Sequence, residues 1–318
     1  MGRSIGVDIG GSKVLAVRLG PGGEVEASDK LPTPPELQAV IETVLAVAAR
    51  VGADVADPLA LPLGVGIPGM IGRDGTAHFC PHLHSADGVD IRHELAKRRV
   101  QGATTVVFND ATAACWAEHT VGAAAGAGDV LMVTLGTGIG GGAVLGGRLV
   151  EGAHGFAGEI GHMVIDTRGP ACPCGKRGCW ERFASGDGLG RLAREAAQAG
   201  KVPRVVALAA GDPEAVRGEH LTTAALAGDA GALEVVDDFA WWLALGLANL
   251  ANALDPSVIV LGGGLIEAAG VVMGPVRRAF RELVEAPQAR EVEVVAAQLG
   301  ERAGAVGAAL LASRQAAA

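Results

Sequence analysis

The sequence has no run of lysine or arginine longer than three residues (Lys97-Arg98-Arg99), no apolar stretch long enough to cross a bilayer, and few aromatic residues (3%) among its 318 positions. The missing basic runs, with a formal net charge of −9, argue against nucleic acid or an anionic membrane surface as the main partner. A polyanionic ligand would need a local site. The longest strongly apolar uncharged run, Phe239 to Leu254, falls short of the ~20 residues of a spanning helix and contains Asn249 and Asn252. The N-terminal residues reach Asp8 before any signal-like apolar region can form, so a soluble, cytoplasmic protein is expected. No G-x-x-x-x-G-K-S/T occurs, which excludes a P-loop. The 49 glycines follow no G-X-Y period and point instead to tight turns and close backbone approaches. Charged residues are scarce at 19% against 49% hydrophobic, which leaves little room for disorder, and the length suggests two lobes.

What is present centres on Glu159 to Glu181. His162, Cys172, Cys174 and Cys179 supply one imidazole and three thiols, a donor set suited to a closed tetrahedral Zn²⁺ site. Turn formers separate them (Gly169, Pro170, Pro173, Gly175, Gly178), as a knuckle folding back on itself requires. A disulfide is the alternative, but a C-x-C pair is too close to bridge without strain. Glu159 lies three residues before one ligand and Glu181 two residues after another, so a metal that fixes the knuckle also fixes two carboxylates.

Along the chain, Ser4 to Ile9 reads as a buried strand, Gly10-Gly11-Ser12 as a turn and Lys13 to Leu19 as a strand going back, with a third after Pro21-Gly22-Gly23. Asp8 stands just before glycines whose N–H groups can cradle phosphate, where a carboxylate can hold Mg²⁺ through water; a plain hairpin with a surface aspartate is the other reading. Pro34-Pro35-Glu36 opens an amphipathic helix. Strands at Pro62 to Pro68 and Thr104 to Phe108 end at Gly69 and at Asn109-Asp110, the strand ends where ligands gather in a doubly wound sheet. Asp110 there is either a base or the cap of the following helix. His78 to His84 reads as a histidine-dense loop near a ligand rather than a metal site. Val130 to Leu135 is followed by Gly136-Thr137-Gly138-Ile139-Gly140-Gly141-Gly142, which matches G-x-G-x-x-G literally but continues as a strand, not a helix. It repeats the N-terminal plan of strand, glycine turn, strand, and so suggests two related α/β halves. Gly188 to Ala199 and Gly231 to Ala253 read as helices, with Trp241 and Trp242 as packing or subunit contacts. A strand at Ser257 to Leu261 ends in Gly262-Gly263-Gly264, a third place for close backbone approach.

Glu159-Ile-Gly-His162, nine residues, then Cys172-Pro-Cys174-Gly-Lys-Arg-Gly-Cys179-Trp-Glu181 resembles the signature of the ROK family of sugar kinases and sugar-responsive repressors. The likeness extends from Asp8-Ile-Gly-Gly-Ser-Lys13 through Asn109-Asp110 and Gly136 to Gly142 to Leu261-Gly-Gly-Gly264. It implies a two-lobed α/β fold, actin-like or ribonuclease-H-like and duplicated, with a smaller lobe over 1–109, onto which a helix at 300–318 packs back, and a larger lobe over 110–299 carrying the zinc knuckle. It implies ATP-dependent phosphorylation of a hexose at its 6-hydroxyl, glucose foremost, with Mg²⁺ and structural Zn²⁺ and with a homodimer or dimer of dimers. Asp110 corresponds to the catalytic base, and Gly69, Asn109, Glu159, His162 and Glu181 to sugar ligands, His162 serving both metal and sugar. Asp8, Gly10, Gly11, Ser12 and Lys13 and Gly136, Thr137 and Gly138 correspond to the two ATP phosphate loops, Gly263 and Gly264 to the nucleotide side. Only seven residues precede Asp8, so the repressor branch is not expected. His82, Thr112 and His154 stand where the family often has asparagine, which leaves another hexose (mannose, fructose, allose, an N-acetylated amino sugar) or a sugar sensor as alternatives.

Overall fold

In the computed structural model, which describes residues 2–81 and 83–317, the first three strands form a meander. β1 (Ser4–Ile9), β2 (Lys13–Leu19) and β3 (Val25–Pro32) pair antiparallel, Ser4 opposite Leu19 and Lys13 opposite Pro32. β1 and β2 are apolar almost throughout because both faces are covered. On one side, Ile5, Val7 and Ile9 pack with Val40, Ile41 and Val44 of α1 (Leu37–Val51). β4 (Leu63–Ile67) lies parallel to β1. The chain then leaves the main sheet for three short strands, β5 (Met70–Ile71), β6 (Thr76–Phe79) and β7 (Val89–Asp90), and a short helix, α2 (Ile91–Ala96). β8 (Thr105–Asn109) returns parallel to β4, giving the order β3-β2-β1-β4-β8, and α3 (Asp110–Val121) follows directly. His78 and Phe79 belong to β6 and not to the expected loop, since Met70 pairs with Phe79. His82 lies outside the described residues.

β9 (Val130–Leu135), β10 (Ile139–Leu145) and β11 (Arg148–Leu149) begin a second sheet, and β10 follows the glycine stretch as a strand, so no dinucleotide fingerprint forms. Helices α4 (Glu181–Ala184), α5 (Gly186–Gln198), α6 (Pro203–Leu208), α7 (Gly218–Leu226) and α8 (Ala230–Leu254) precede β12 (Val258–Gly262), α9 (Ala269–Leu283) and β13 (Glu293–Ala296). The sheet order is β11-β10-β9-β12-β13, with β12 and β13 parallel. It repeats the first sheet's order: three consecutive strands, then two that arrive later in the chain. The last helix is α10 (Ala303–Ala316).

By their contacts the residues divide into two compact units, one of Met1–Met132, Gly142–Gly158 and Gln298–Ala318, the other of Val133–Gly141 and Glu159–Ala297. The cysteine knuckle falls in the second, and α3 packs along α10 within the first. α10 also covers the far face of the first sheet, where Leu15, Val17 and Leu19 meet Ala305, Val306, Ala309 and Leu310. Its small residues allow a close approach: a Cβ on Gly307 would lie 1.7 Å from the Ala113 carbonyl oxygen. Among the described residues no helix is long and apolar enough to cross a membrane.

Candidate active site

In the first unit, three strand ends bring polar groups together. Asp8 near the end of β1 sits opposite Gly66 of β4, and β8 ends at Asn109, from which α3 starts with Asp110. Asn109 caps that helix: its Oδ1 accepts from the Thr112 N–H at 3.0 Å, while its Nδ2 donates to the Gly69 carbonyl at 3.1 Å. The cap is therefore not Asp110, which as first helical residue is held at the positive end of the helix dipole. Thr112 is buried inside α3. Gly69 has φ +129°, and a Cβ there would strike the Phe79 carbonyl, so only glycine lets this loop close against Asn109.

Asp8 is strained electrostatically. Burial, and then the negative charge of Asp110, push its carboxyl up to about 7, with Lys13 offsetting part of the effect. Its Oδ1 is buried with no hydrogen-bond partner, and Gly304 of α10 makes room for the group: a Cβ there would lie 2.8 Å from the Asp8 Cγ. An unsatisfied carboxylate oxygen beside a second carboxylate is a fitting donor for Mg²⁺, a hard cation that takes oxygen ligands. The adjacent turn is pinned by Gly10 N–H to the Lys13 carbonyl (2.8 Å), Thr33 Oγ1 to the Gly10 carbonyl (2.7 Å) and Thr33 N–H to the Ser12 carbonyl (3.2 Å). Space around Gly11 is open.

In the second unit, the ligand atoms of His162, Cys172, Cys174 and Cys179 all lie within 4.8 Å of one another, and all the cysteines are free. Cys174 Sγ is 3.5 Å from Cys179 Sγ, and Cys172 Sγ is 3.8 Å from His162 Nδ1. A tetrahedral zinc with bonds of about 2.0–2.3 Å places its ligand atoms about 3.4–3.8 Å apart, so the cluster fits Zn²⁺ and leaves no open position. Local turns build it: Cys172 N–H donates to the Lys176 carbonyl at 2.8 Å and Gly175 N–H to the Cys172 carbonyl at 3.0 Å. His162 Nδ1 faces the thiols, and its Nε2 lies 3.9 Å from Glu159 Oε2. Glu181 closes the group, with Oε1 3.1 Å from Cys172 Sγ and 3.5 Å from His162 Nδ1. Trp180, between Cys179 and Glu181, is fully buried; its Nε1 donates to the Trp242 carbonyl at 2.9 Å, and its ring occupies the space a side chain on Gly246 of α8 would take. Trp242 in turn stacks on Phe183 at 4.3 Å, so it is a packing residue, while Trp241 is 42% exposed.

The same unit contains a cavity of about 410 Å³ with Gly136, Thr137, Gly264, Asp187, Arg217 and Glu219 in its wall. Gly138 instead approaches Glu181, and Gly263, at φ +89°, lies against Leu135. Asp187, Arg194, Arg217, Glu219 and Thr222 were not identified from the sequence. Asp187 could have been, since Ser185-Gly186-Asp187-Gly188 carries a helix-start pattern in which the Ser185 hydroxyl accepts from Gly188 N–H. His154 is exposed and packs near Phe156, which His78 meets edge-on at 5.2 Å. Among the described residues the histidines of β6 and its neighbours form no metal-ligand group.

Comparison with known proteins adds three findings. The model of the ROK family matches residues 4–315. Glucokinases of Streptomyces coelicolor and Thermotoga maritima are 38% and 35% identical to the chain, over 98% and 96% of it and 98% and 95% of their own lengths. The fold matches the crystal structure of a ROK family glucokinase from Streptomyces griseus in complex with glucose and AMPPNP, with a TM-score of 0.85 and 36% identity over 98% of this chain and 100% of that one.

Proposed function

The chain belongs to the ROK family, and from that premise we propose that it is a glucokinase, transferring the γ-phosphoryl group of ATP to the 6-hydroxyl of glucose. The observation that carries the reading is the pair Asp8 and Asp110, at the ends of β1 and β8 and both beside Gly66 of the intervening β4, one with an unsatisfied buried oxygen and the other at a helix N-terminus. Near full-length likeness to glucokinases supports it. The matching order of the two five-stranded sheets supports a duplicated, ribonuclease-H-like fold.

Phosphoryl transfer passes through a loose transition state, so the protein's task is placement and charge neutralisation. Glu159, His162 and Glu181 of the second unit bind and orient the vicinal hydroxyls of the hexose, each of which gives and accepts a hydrogen bond, while in the first unit Asn109 and Gly69 brace the helix start that carries Asp110. Asp110 takes the proton of the 6-hydroxyl as that oxygen attacks phosphorus. In the first unit the turn at 10–13 offers backbone N–H groups to phosphate, and in the second the cavity bordered by Gly136, Thr137 and Gly264 accepts the nucleoside. Asp8 is the carboxylate that would hold Mg²⁺, which when bound would neutralise charge on the phosphates. His162, Cys172, Cys174 and Cys179 would fill the four positions of a zinc ion, which would then serve to hold Glu159 and Glu181 in place.

A coupled ADP-release assay across glucose, mannose, fructose, allose and N-acetylated amino sugars tests this. Glucose should give the highest kcat/KM. Turnover of another hexose more than tenfold better than glucose overturns the substrate, and ADP release with none of them overturns the kinase.

A further inference from the structure

Glu118 is the one carboxylate of α3 that is completely buried, at 0% exposure, and among the described residues it has no lysine, arginine or histidine partner. It is satisfied by backbone alone. Its Oε2 accepts from the Ala123 N–H at 2.7 Å, and its two oxygens accept from Gln298 N–H (3.0 and 3.2 Å) and, through Oε1, from Leu299 N–H at 2.8 Å. Three amides from segments 175 residues apart therefore converge on one anion. Hydrogen bonds to a charged acceptor are the strong ones, and leaving such donors unpaired in the interior is costly.

Gln298 and Leu299 belong to the connector that leads from β13 into α10. Two residues on, Glu301 is ion-paired with Lys13, the last residue of the turn after Asp8, and lies 3.7 Å from Lys30 on β3. Three residues further, Gly304 faces the Asp8 carboxylate. The connector thus touches the turn through Glu301 and leads into the α10 start that faces Asp8, and it is held from behind by Glu118, all within the first unit.

We infer that Glu118 is a positioning residue for the phosphate donor: by fixing residues 298–299 it sets Glu301 on Lys13, and so sets the 10–13 turn before ATP arrives. The inference rests on the reading of that turn as a phosphate loop. Preorganisation of this kind acts on the ligand of the turn and not on groups anchored elsewhere, and displacements of an ångström can cost up to a hundredfold. Glu118→Gln replaces an acceptor oxygen with an N–H donor facing N–H donors and removes the charge. Glu301→Gln breaks the far end of the relay at an exposed position, where folding is not at stake.

The test is steady-state kinetics on the full chain, with ATP and glucose varied separately. Each variant should lose roughly tenfold to a hundredfold in kcat/KM for ATP, mostly as a higher KM, with the KM for glucose within twofold of the parent. A merely structural role would move both substrates or neither. The double variant should be no worse than the poorer single one, since both cut one relay. If Glu118→Gln fails to fold, Glu301→Gln alone decides: an unchanged KM for ATP overturns the relay. Additive losses, or equal effects on glucose, also overturn it. A parent chain that phosphorylates no hexose removes the functional reading and the relay with it, an outcome distinct from an active parent with unaffected variants.

Discussion

Asp8 and Asp110 both lie beside Gly66 in the first unit but make different demands. For Asp110, replacement by asparagine keeps size and one acceptor but cannot take the substrate's proton. Because Asn109 and not Asp110 caps α3, the helix start should survive the change, at a cost below about 1 kcal/mol. The expected result is a fall in kcat of roughly 10² to 10⁴ with little change in glucose binding; a stable variant with near-parental turnover would refute the catalytic role. For Asp8 the sign runs the other way. Its carboxyl is raised from 3.8 to about 7, so the folded state holds a proton that the unfolded state has lost, and stability falls as pH rises from about 4 through about 7. Asp8→Asn, uncharged at every pH, should melt at a higher temperature than the parent at pH 8, with the difference shrinking toward pH 5, while activity is lost. Calorimetry at the two pH values checks this, and a variant less stable than the parent at pH 8 would show that Asp8 is not electrostatically strained.

Among the elements, the knuckle was the most legible, because metal chemistry fixes ligand type and spacing whatever the surroundings do. In the proposed function its part would be rigidity: Cys172 and His162 each lie beside Glu181, and Trp180 anchors the segment to α8. Cys174→Ala should therefore lose zinc, melting temperature and glucose affinity together, measured by metal analysis, thermal unfolding and equilibrium sugar binding. Loss of zinc with unchanged glucose affinity would separate the metal from the sugar site. The strands of both meanders were legible too, since strands buried on both faces read as apolar runs between glycine turns. β5, β6 and β7 were not. Strands of two to four residues have no period to detect, and pairings such as Met70 with Phe79 hold them in place. α6 and α7 escaped for a related reason, since turns of one or two helical repeats among alanines carry no amphipathic signal, and with them went Arg217, Glu219 and Thr222 on the cavity wall.

At the scale of the whole molecule, the strand–turn–strand plan of each sheet was readable because a glycine-containing turn follows both β1 and β9. The assignment of residues to units was less so. It depends on which helices pack together, and the small-residue face of α10 that receives α3 is no more distinctive in sequence than any other alanine-rich helix. That face has a consequence during synthesis. The first unit is assembled from both ends of the chain, with α10 completing a core that β1 and β2 begin some 290 residues earlier. As the polypeptide leaves the ribosome, Leu15, Val17 and Leu19 have no permanent cover until the last helix emerges, whereas the residues of the second unit have already all been made. A sheet made before the second unit is therefore covered only after it, and its uncovered face is the surface a chaperone would meet on the nascent chain.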